Sequence, residues 1–279
     1  MSRIVILGAS SGPGRLLFEQ LRDSGTPVIG LARSRRDVSL SGQAEFIEVD
    51  AEQLSQLQTF IDADDTLVHC SSPELLTNYL KTEPQLKRLI AIGSTRIYTR
   101  FPDNKCNRLA DMAHVIWMGN IPTTLIHPTM IYGAPGLNNI ERVIRIARLS
   151  PFIPLPENGR SLIQPILAAD LVKAILACLS DLSTIGKTIA VPGKEAVTYR
   201  RFVELCIEHS GSRCRVLSVP YFLIALLAPF THILPGVPNI TQDEVRRLLE
   251  DKNFETEDLE SLGVEPTSIE DGLERALEG

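Results

Sequence analysis

Apolar residues at the start of the chain come in short unbroken runs, and those runs alternate with stretches that are apolar at helical spacing. Ile4, Val5, Ile6 and Leu7 follow one another without a polar break, the pattern of a strand buried on both faces of a parallel sheet. Leu17, Phe18 and Leu21 then recur on one side of a helix. Between them lies Gly8-Ala9-Ser10-Ser11-Gly12-Pro13-Gly14. The same rhythm predicts further strands over residues 27–31, 45–49, 66–70, 87–92 and 123–127, with a helix over residues 105–119. Strand and helix alternating in this way predict an α/β fold, a Rossmann-type doubly wound parallel sheet that takes ligands at the carboxyl ends of its strands.

After residue 134 the rhythm loosens. Ile140, Val143, Ile144 and Ala147 make a helical stripe, and Pro151, Pro154 and Pro156 mark a linker-like loop. Asp170 opens an apolar helix reaching Leu179, and residues 187–191 read as one more strand, returning to the first sheet. Thr198 caps a helix that runs to about His209 and stops at Gly211. Thr241 and Glu244 have capping-box spacing, and Ser268 begins the last helix. The expected division is a dinucleotide-binding domain over residues 1–150 and a smaller helix-rich C-terminal lobe over residues 151–279 that closes over a substrate. The apolar stretch 221–235 is too short and too proline-broken for a bilayer span, which takes about 20 residues. It reads as a buried helix, with a membrane-surface or subunit contact as the alternatives. Repeats and low-complexity segments are absent.

A strand, a glycine turn and a helix in direct succession are the context in which such a turn binds a dinucleotide. Gly8 makes the tight turn, Gly12 lets the backbone approach the pyrophosphate, and Gly14 lets the helix pack on the strand. Ser10 and Ser11 complete the turn, and the helix N-terminus offers N–H groups to phosphates. Pro13 sits where a missing N–H does no harm. The second strand ends in Ala32-Arg33-Ser34-Arg35-Arg36, with no acid before Asp37. An acidic residue there would bind a ribose 2′-hydroxyl, whereas arginine accommodates a 2′-phosphate. Arg33, helped by Ser10 and Arg35, therefore points to NADP, with NAD as the alternative. Asp50, at the end of the third strand, is placed for the adenine edge. Ser71, in the turn after the fourth strand, would lie over the cofactor.

Composition narrows the partners. The 279 residues are 44% hydrophobic and 22% charged, with a net charge of −6, and there is no dense basic block, which argues against nucleic acid. The five cysteines, at 70, 106, 178, 206 and 214, form no Cys-x-x-Cys pair. That usage suits buried thiols in a reducing compartment. With the first strand starting at residue 3, no signal peptide is expected, and the protein reads as cytoplasmic. The five histidines lack metal-ligand spacing, so no metal is expected. The oligomeric state stays open.

Taken in order, these segments resemble the short-chain dehydrogenase/reductase superfamily, specifically its extended and atypical NAD(P)-dependent epimerase/dehydratase-like members. Besides the glycine turn, the marks are Gly93-Ser94-Thr95-Arg96-Ile97-Tyr98 and His127-Pro128-Thr129-Met130-Ile131-Tyr132-Gly133. Further on come Gln164-Pro165-Ile166 with Asp170-Leu171, then Thr198-Tyr199-Arg200 and Leu262-Gly263. The last segment also looks like atypical members such as the Rossmann accessory subunit of respiratory complex I. The resemblance implies an oxidoreductase, epimerase or dehydratase acting on a small molecule such as a nucleotide sugar.

Two departures stand out. The spacing Gly8-x-x-x-Gly12-x-Gly14 is that of the compact, single-domain branch rather than the extended one. The catalytic Tyr-x-x-x-Lys pair of the family is missing, and its two positions fall near Lys105 and Leu109. A phenol works as an acid near neutrality only with a cation beside it, and Leu109 supplies none. Ser94 stands in the place of the family's catalytic serine, or is simply a cap. Tyr98 and His127 are the candidates for a substitute acid, His127 with a structural role as its alternative. His69 and His114 read as packing and surface residues. Two functions follow: an NADP-dependent enzyme using Ser94 with Tyr98 or His127, or a non-catalytic NADP(H)-sensing or assembly protein.

Overall fold

The structure, a computed structural model, describes residues 3–34, 39–137, 139–227 and 242–278. The first half runs β1 (Ile4–Leu7), α1 (Gly12–Asp23), β2 (Val28–Ala32), β3 (Ala44–Glu48), α2 (Leu54–Phe60), β4 (Thr66–His69), α3 (Pro73–Leu80), β5 (Arg88–Ile92), α4 (Asn104–Met118) and β6 (Thr123–Pro128). There follow β7 (Ile131–Tyr132), α5 (Asn139–Leu149), β8 (Phe152–Pro156), β9 (Leu162–Ile163), β10 (Ile166–Leu167), α6 (Ala168–Ser180) and β11 (Thr188–Val191). The chain closes with β12 (Val197–Thr198), α7 (Tyr199–Ser210), β13 (Arg215–Val219), α8 (Tyr221–Leu227), α9 (Gln242–Arg247), α10 (Glu257–Ser261) and α11 (Ile269–Glu278).

Seven strands form one parallel sheet in the order β11-β6-β5-β4-β1-β2-β3. Chain order reverses between β1 and β4, where α/β sheets open a crevice at their carboxyl edge. Side chains alternate along the strands, so each face of the sheet carries its own core. Ile6, Val68, Ile90 and Ile126 pack with Phe18 of α1 and with Leu171 and Ile175 of α6. Val5, Leu7, Leu67, Leu89 and Leu125 pack on the other face with Leu76 and Tyr79 of α3 and with Leu109 and Met112 of α4. A third cluster joins Ile140, Val143 and Ile144 of α5 to Phe202, Val203 and Cys206 of α7 and to Leu273 of α11.

Local signals hold where they are backbone signals. The Thr198 hydroxyl caps α7 by accepting the Arg201 N–H at 3.1 Å, and Gly211 ends the helix at φ 66°. The Ser268 hydroxyl accepts the Asp271 N–H at the start of α11. The strand expected at 187–191 is β11, hydrogen-bonded to β6.

Two expectations fail. The proline-marked loop at 151–156 is a strand, β8, paired with β13. Their sheet has only two strands, so each keeps a free edge where proline's missing N–H breaks no ladder. The apolar helix expected to be buried begins as α8, yet its Phe222 and Leu226 are 66% and 64% exposed. The remainder of that stretch, with Thr241, lies outside the described residues, as do Arg35, Arg36 and Asp37. Among the described residues no helix is long and apolar enough to cross a membrane.

Candidate cofactor and substrate site

The carboxyl ends of β1, β4 and β5 open into a cavity of about 620 Å³. One wall is the glycine turn, Ser10 to Pro13, and above it runs the segment Pro135 to Leu137. The turn after β4, Cys70 to Glu74, forms the middle. The far wall is Ile92, Gly93, Ser94 and Arg96 with Lys105, Arg108 and Leu109 of α4.

The glycine turn is shaped by its backbone. Gly8 sits at φ +93°, and a Cβ there would lie 2.7 Å from the Cys70 carbonyl oxygen. A Cβ on Gly14 would come within 2.3 Å of the Gly8 carbonyl oxygen, so helix and strand approach closely only because residue 14 is glycine. Gly12 has a different neighbour from the one its spacing suggests. Its missing Cβ would meet Ala134 Cβ at 3.0 Å and the Pro135 carbonyl at 3.2 Å, so the space it clears admits that loop. The Ser11 hydroxyl caps α1, accepting the Gly14 N–H at 3.1 Å. Ser10 and Ser71 both line the cavity. Arg33 is exposed just beyond β2. Asp50, just beyond the neighbouring β3, accepts the Glu52 N–H at 3.1 Å. Neither of these two lines the cavity.

At the far wall Ser94 opens a short 3-10 turn, Thr95–Tyr98, where a strand end was expected, and its Oγ accepts the Arg96 N–H at 3.2 Å. The Ser94 N–H donates to His127 Nδ1 at 3.0 Å, which leaves the ring proton on Nε2. Gly93 makes that bond possible, since a Cβ there would lie 2.5 Å from Nδ1. Burial holds His127 down to about 4, so its imidazole is neutral near pH 7. It does not line the cavity. These facts favour its structural role over proton donation. Tyr98 is 55% exposed, and its ring stands edge-on to His127 at 5.6 Å and beside Phe254 at 6.1 Å. Burial of part of the ring raises its phenol, away from what an acid near neutrality requires. It too is off the cavity wall.

Burial keeps two further groups beside the cavity neutral. Burial pushes the Cys70 thiol up to about 12, so it stays protonated. His69, at the end of β4, donates from Nε2 to the Ser72 carbonyl at 3.0 Å and is held down to about 4 by burial. Among the described residues no cluster could hold a metal ion.

The cations of the α4 wall were not singled out from the sequence as ligands. Arg108 pairs with Glu74 across the rim. Arg96 pairs with Asp103, the N-cap of α4, which also takes Arg247 at 2.7 Å. Burial raises the Asp103 carboxyl, but hydrogen bonds from Arg96 and the Cys106 N–H, with both guanidinium charges, outweigh it and hold the group below its ordinary range. Lys105 and Leu109, one turn apart on α4, both line the cavity. Their spacing was the available signal: residues at i and i+4 share a helix face.

Two further resemblance marks, Gln164 and Asp170, prove to be ties, and Glu250 makes a third. The Glu250 carboxylate accepts from Thr99 Oγ1 at 2.7 Å and the Arg100 N–H at 2.6 Å. Gln164 accepts the Phe254 N–H at 2.8 Å and donates to the Gly193 carbonyl at 2.9 Å. Asp170 accepts the Thr267 N–H and the Lys173 ammonium, each at 2.7 Å. Together they tie the C-terminal segment back to Thr99 and Arg100, to Gln164 and to α6.

No family model matches the chain. It is 24% identical to the uncharacterized protein YbjS of Escherichia coli, an alignment covering 98% of this chain and 96% of that one. A Mycobacterium tuberculosis protein, also uncharacterized, is 26% identical over 71% of this chain, which spans 22% of that protein's length. Among solved structures, a UDP-glucuronic acid 4-epimerase from Bacillus cereus, in complex with UDP-glucuronic acid and NAD, superposes with a TM-score of 0.72 at 16% identity, covering 99% of this chain and 98% of that one. MoeE5, in complex with UDP-glucose and NAD, gives 0.73 at 14% identity with the same coverage. A nucleoside-diphosphate-sugar epimerase from Staphylococcus aureus gives 0.74 at 16% identity, covering 96% and 98%. At these identities the shared property is architecture: this chain has the Rossmann-type α/β fold of these nucleotide-sugar epimerases.

Proposed function

We propose that the chain binds NADP(H) across the carboxyl ends of β1, β2 and β4, and a small molecule beside it over Ser94. The observation that carries this reading is the single cavity joining the glycine turn to Ser94 and the α4 wall. The residues fit a dinucleotide: Gly8 and Gly14 cannot carry a side chain in this backbone, and the turn opens a helix N-terminus of the kind that receives phosphate. When bound, the dinucleotide supplies hydride exchange with a carbon of the small molecule. Ser94 Oγ already accepts the Arg96 N–H, so its own proton is free to donate to an oxygen on that carbon. Arg33 meets the 2′-phosphate, Asp50 the adenine edge, and Ser71 covers the cofactor. Two of the comparison structures hold NAD; Arg33 is the reason to expect NADP here.

The chemistry is that of a reductase or epimerase whose proton transfers do not pass through a tyrosine–lysine pair. A second reading, an NADP(H)-sensing or assembly protein, is favoured by Lys105 and Leu109 in the places of that pair. General acid–base participation typically contributes ~10²–10⁴-fold, so turnover without the pair is slow. Calorimetric titration of NADP⁺ and NAD⁺ tests the binding reading. A charge-assisted bond to the 2′-phosphate is worth about 1.5–3 kcal/mol, roughly 10- to 150-fold. Arg33→Ala should lose that margin for NADP⁺ and none for NAD⁺. Equal affinity for the two in wild type would overturn the NADP assignment. Assaying NADPH oxidation over aldehydes and ketones, together with isomer interconversion of nucleotide sugars, which consumes no net NADPH, separates the two functions, since the sensing reading expects no turnover in either assay.

A further inference from the structure

We infer that the small molecule of this site is an anion, and that Lys105 and Arg96 hold a carboxylate or phosphate on it close to Ser94. The inference rests on the reading just given and names the class of ligand. Lys105 is exposed on the cavity wall and has no ion-pair partner among the described residues. Arg96 shares one carboxylate, Asp103, with Arg247, so two guanidiniums stand against one acid. The Arg96 Nε is buried without a hydrogen-bond partner, a costly state for a charged donor. At the rim Arg108 and Glu74 neutralise each other. Positive charge is therefore left over at the Ser94 end of the cavity, where the backbone of Arg96 also binds the serine. Arg96, whose Nη2 is held by Asp103, lines the cavity with its remaining guanidinium charge, and Lys105 offers a mobile point charge one turn from the apolar Leu109. A neutral ligand would leave both cations unanswered.

The experiment uses the whole chain saturated with NADP⁺, into which malonate and inorganic phosphate are titrated separately by calorimetry. One of them is expected to bind saturably, malonate marking a carboxylate ligand and phosphate a phosphorylated one. Lys105→Gln and Arg96→Gln should each weaken that binding roughly 10-fold or more, with NADP⁺ affinity changed by less than about 2-fold. Lys105 is exposed, so its variant carries the test should Arg96→Gln lose its fold along with the Asp103 contact. Failure of both anions to bind, or unchanged binding in Lys105→Gln, overturns the inference. Loss of NADP⁺ affinity in Lys105→Gln overturns it too, since the lysine would then belong to the dinucleotide. If wild type takes up no dinucleotide, the reading of the cavity fails separately, and the same anion titration of the protein alone still decides the role of Lys105.

Discussion

The two ends of the cavity are built on different principles. At the glycine turn the shape comes from the main chain: Gly8 at positive φ, Gly14 against a carbonyl, and a serine capping the helix. At the α4 end it comes from side chains carried by separate segments, Ser94 after β5 and Lys105, Arg108 and Leu109 on α4. The first end tolerates almost no change of residue. The second leaves Lys105 and Arg108 exposed, where a change of residue leaves the core alone, and it is here that this chain departs from the Tyr-x-x-x-Lys pattern. A scaffold fixed at the cofactor and variable at the substrate is how one α/β fold serves many reactions.

The middle of the cavity and its α4 end each rest on a buried imidazole, and this gives the largest expected effect. His69 supports the turn after β4 and His127 the Ser94 backbone, both held down to about 4 by burial. Unfolded, each titrates near 6.5. Below that pH the unfolded chain binds protons that the folded chain does not, so stability is complete above about 6.5 and falls until about 4. The loss is on the order of 3 kcal/mol for each imidazole. Asp103 and Glu250, whose carboxyls are lowered in the fold, add their loss further down, as pH falls through their folded values. Urea midpoints at pH 7.5, 6.0 and 4.5 read the first window. His69→Gln and His127→Asn, which keep a donor for the Ser72 carbonyl and an acceptor for the Ser94 N–H, should each remove about half of the slope. A flat profile between pH 7.5 and 4.5 would show that neither ring is held neutral.

The next effect belongs to the main-chain end alone. Gly14→Val places a branched side chain against the Gly8 carbonyl oxygen, which a Cβ alone would approach to 2.3 Å. The neighbour is backbone, so the strain has no flexible side chain to relieve it. Overpacking of this kind costs about 1–3 kcal/mol, occasionally more, and should move the turn enough to abolish dinucleotide binding. Thermal melting and NADP⁺ calorimetry of the same preparation check both. Wild-type melting with wild-type affinity would mean that the turn is looser than its geometry.

The same division decides how much could be read in advance. The strand–turn–helix opening, the parallel sheet, and the caps at Thr198, Gly211 and Ser268 were legible because each is a local demand of the backbone on residue type. At Gly12 the residue was legible but its neighbour was not, because the loop that fills the space comes from residues 134–137, far along the chain. Pro154 misled for a related reason: proline argues against a strand only where the ladder runs on both sides, and β8 has one neighbour. Phe222 and Leu226 misled because apolar runs do not say what covers them. His127 was ambiguous until its Nδ1 was seen to face the Ser94 N–H through the gap left by Gly93. The two cations Arg96 and Lys105 were invisible as a set, since eight residues separate two side chains that share only the cavity wall.

The smallest effect is the sharpest probe of that contrast. Among the described residues Glu74 is the one carboxylate on the cavity wall, paired with Arg108 at the rim, where both side chains are partly exposed. It also lies in the first turn of α3, where a negative charge favours the helix. Exposed pairs are worth about 0–1 kcal/mol, and a first-turn acid about 0.3–1 kcal/mol. Glu74→Gln should therefore cost roughly 1 kcal/mol by urea unfolding. It should also free Arg108 and remove a negative charge from the cavity wall that carries Lys105 and Arg96. Malonate or phosphate affinity should then rise about 2- to 5-fold, a modest gain because the groups face water and salt screens them. The gain should shrink as ionic strength is raised, while NADP⁺ affinity, set by the glycine turn, stays where it was. A drop in anion affinity would show that Glu74 positions Arg108 for the ligand instead of neutralising it, and would move the binding charge from the Lys105 side of the wall to the rim.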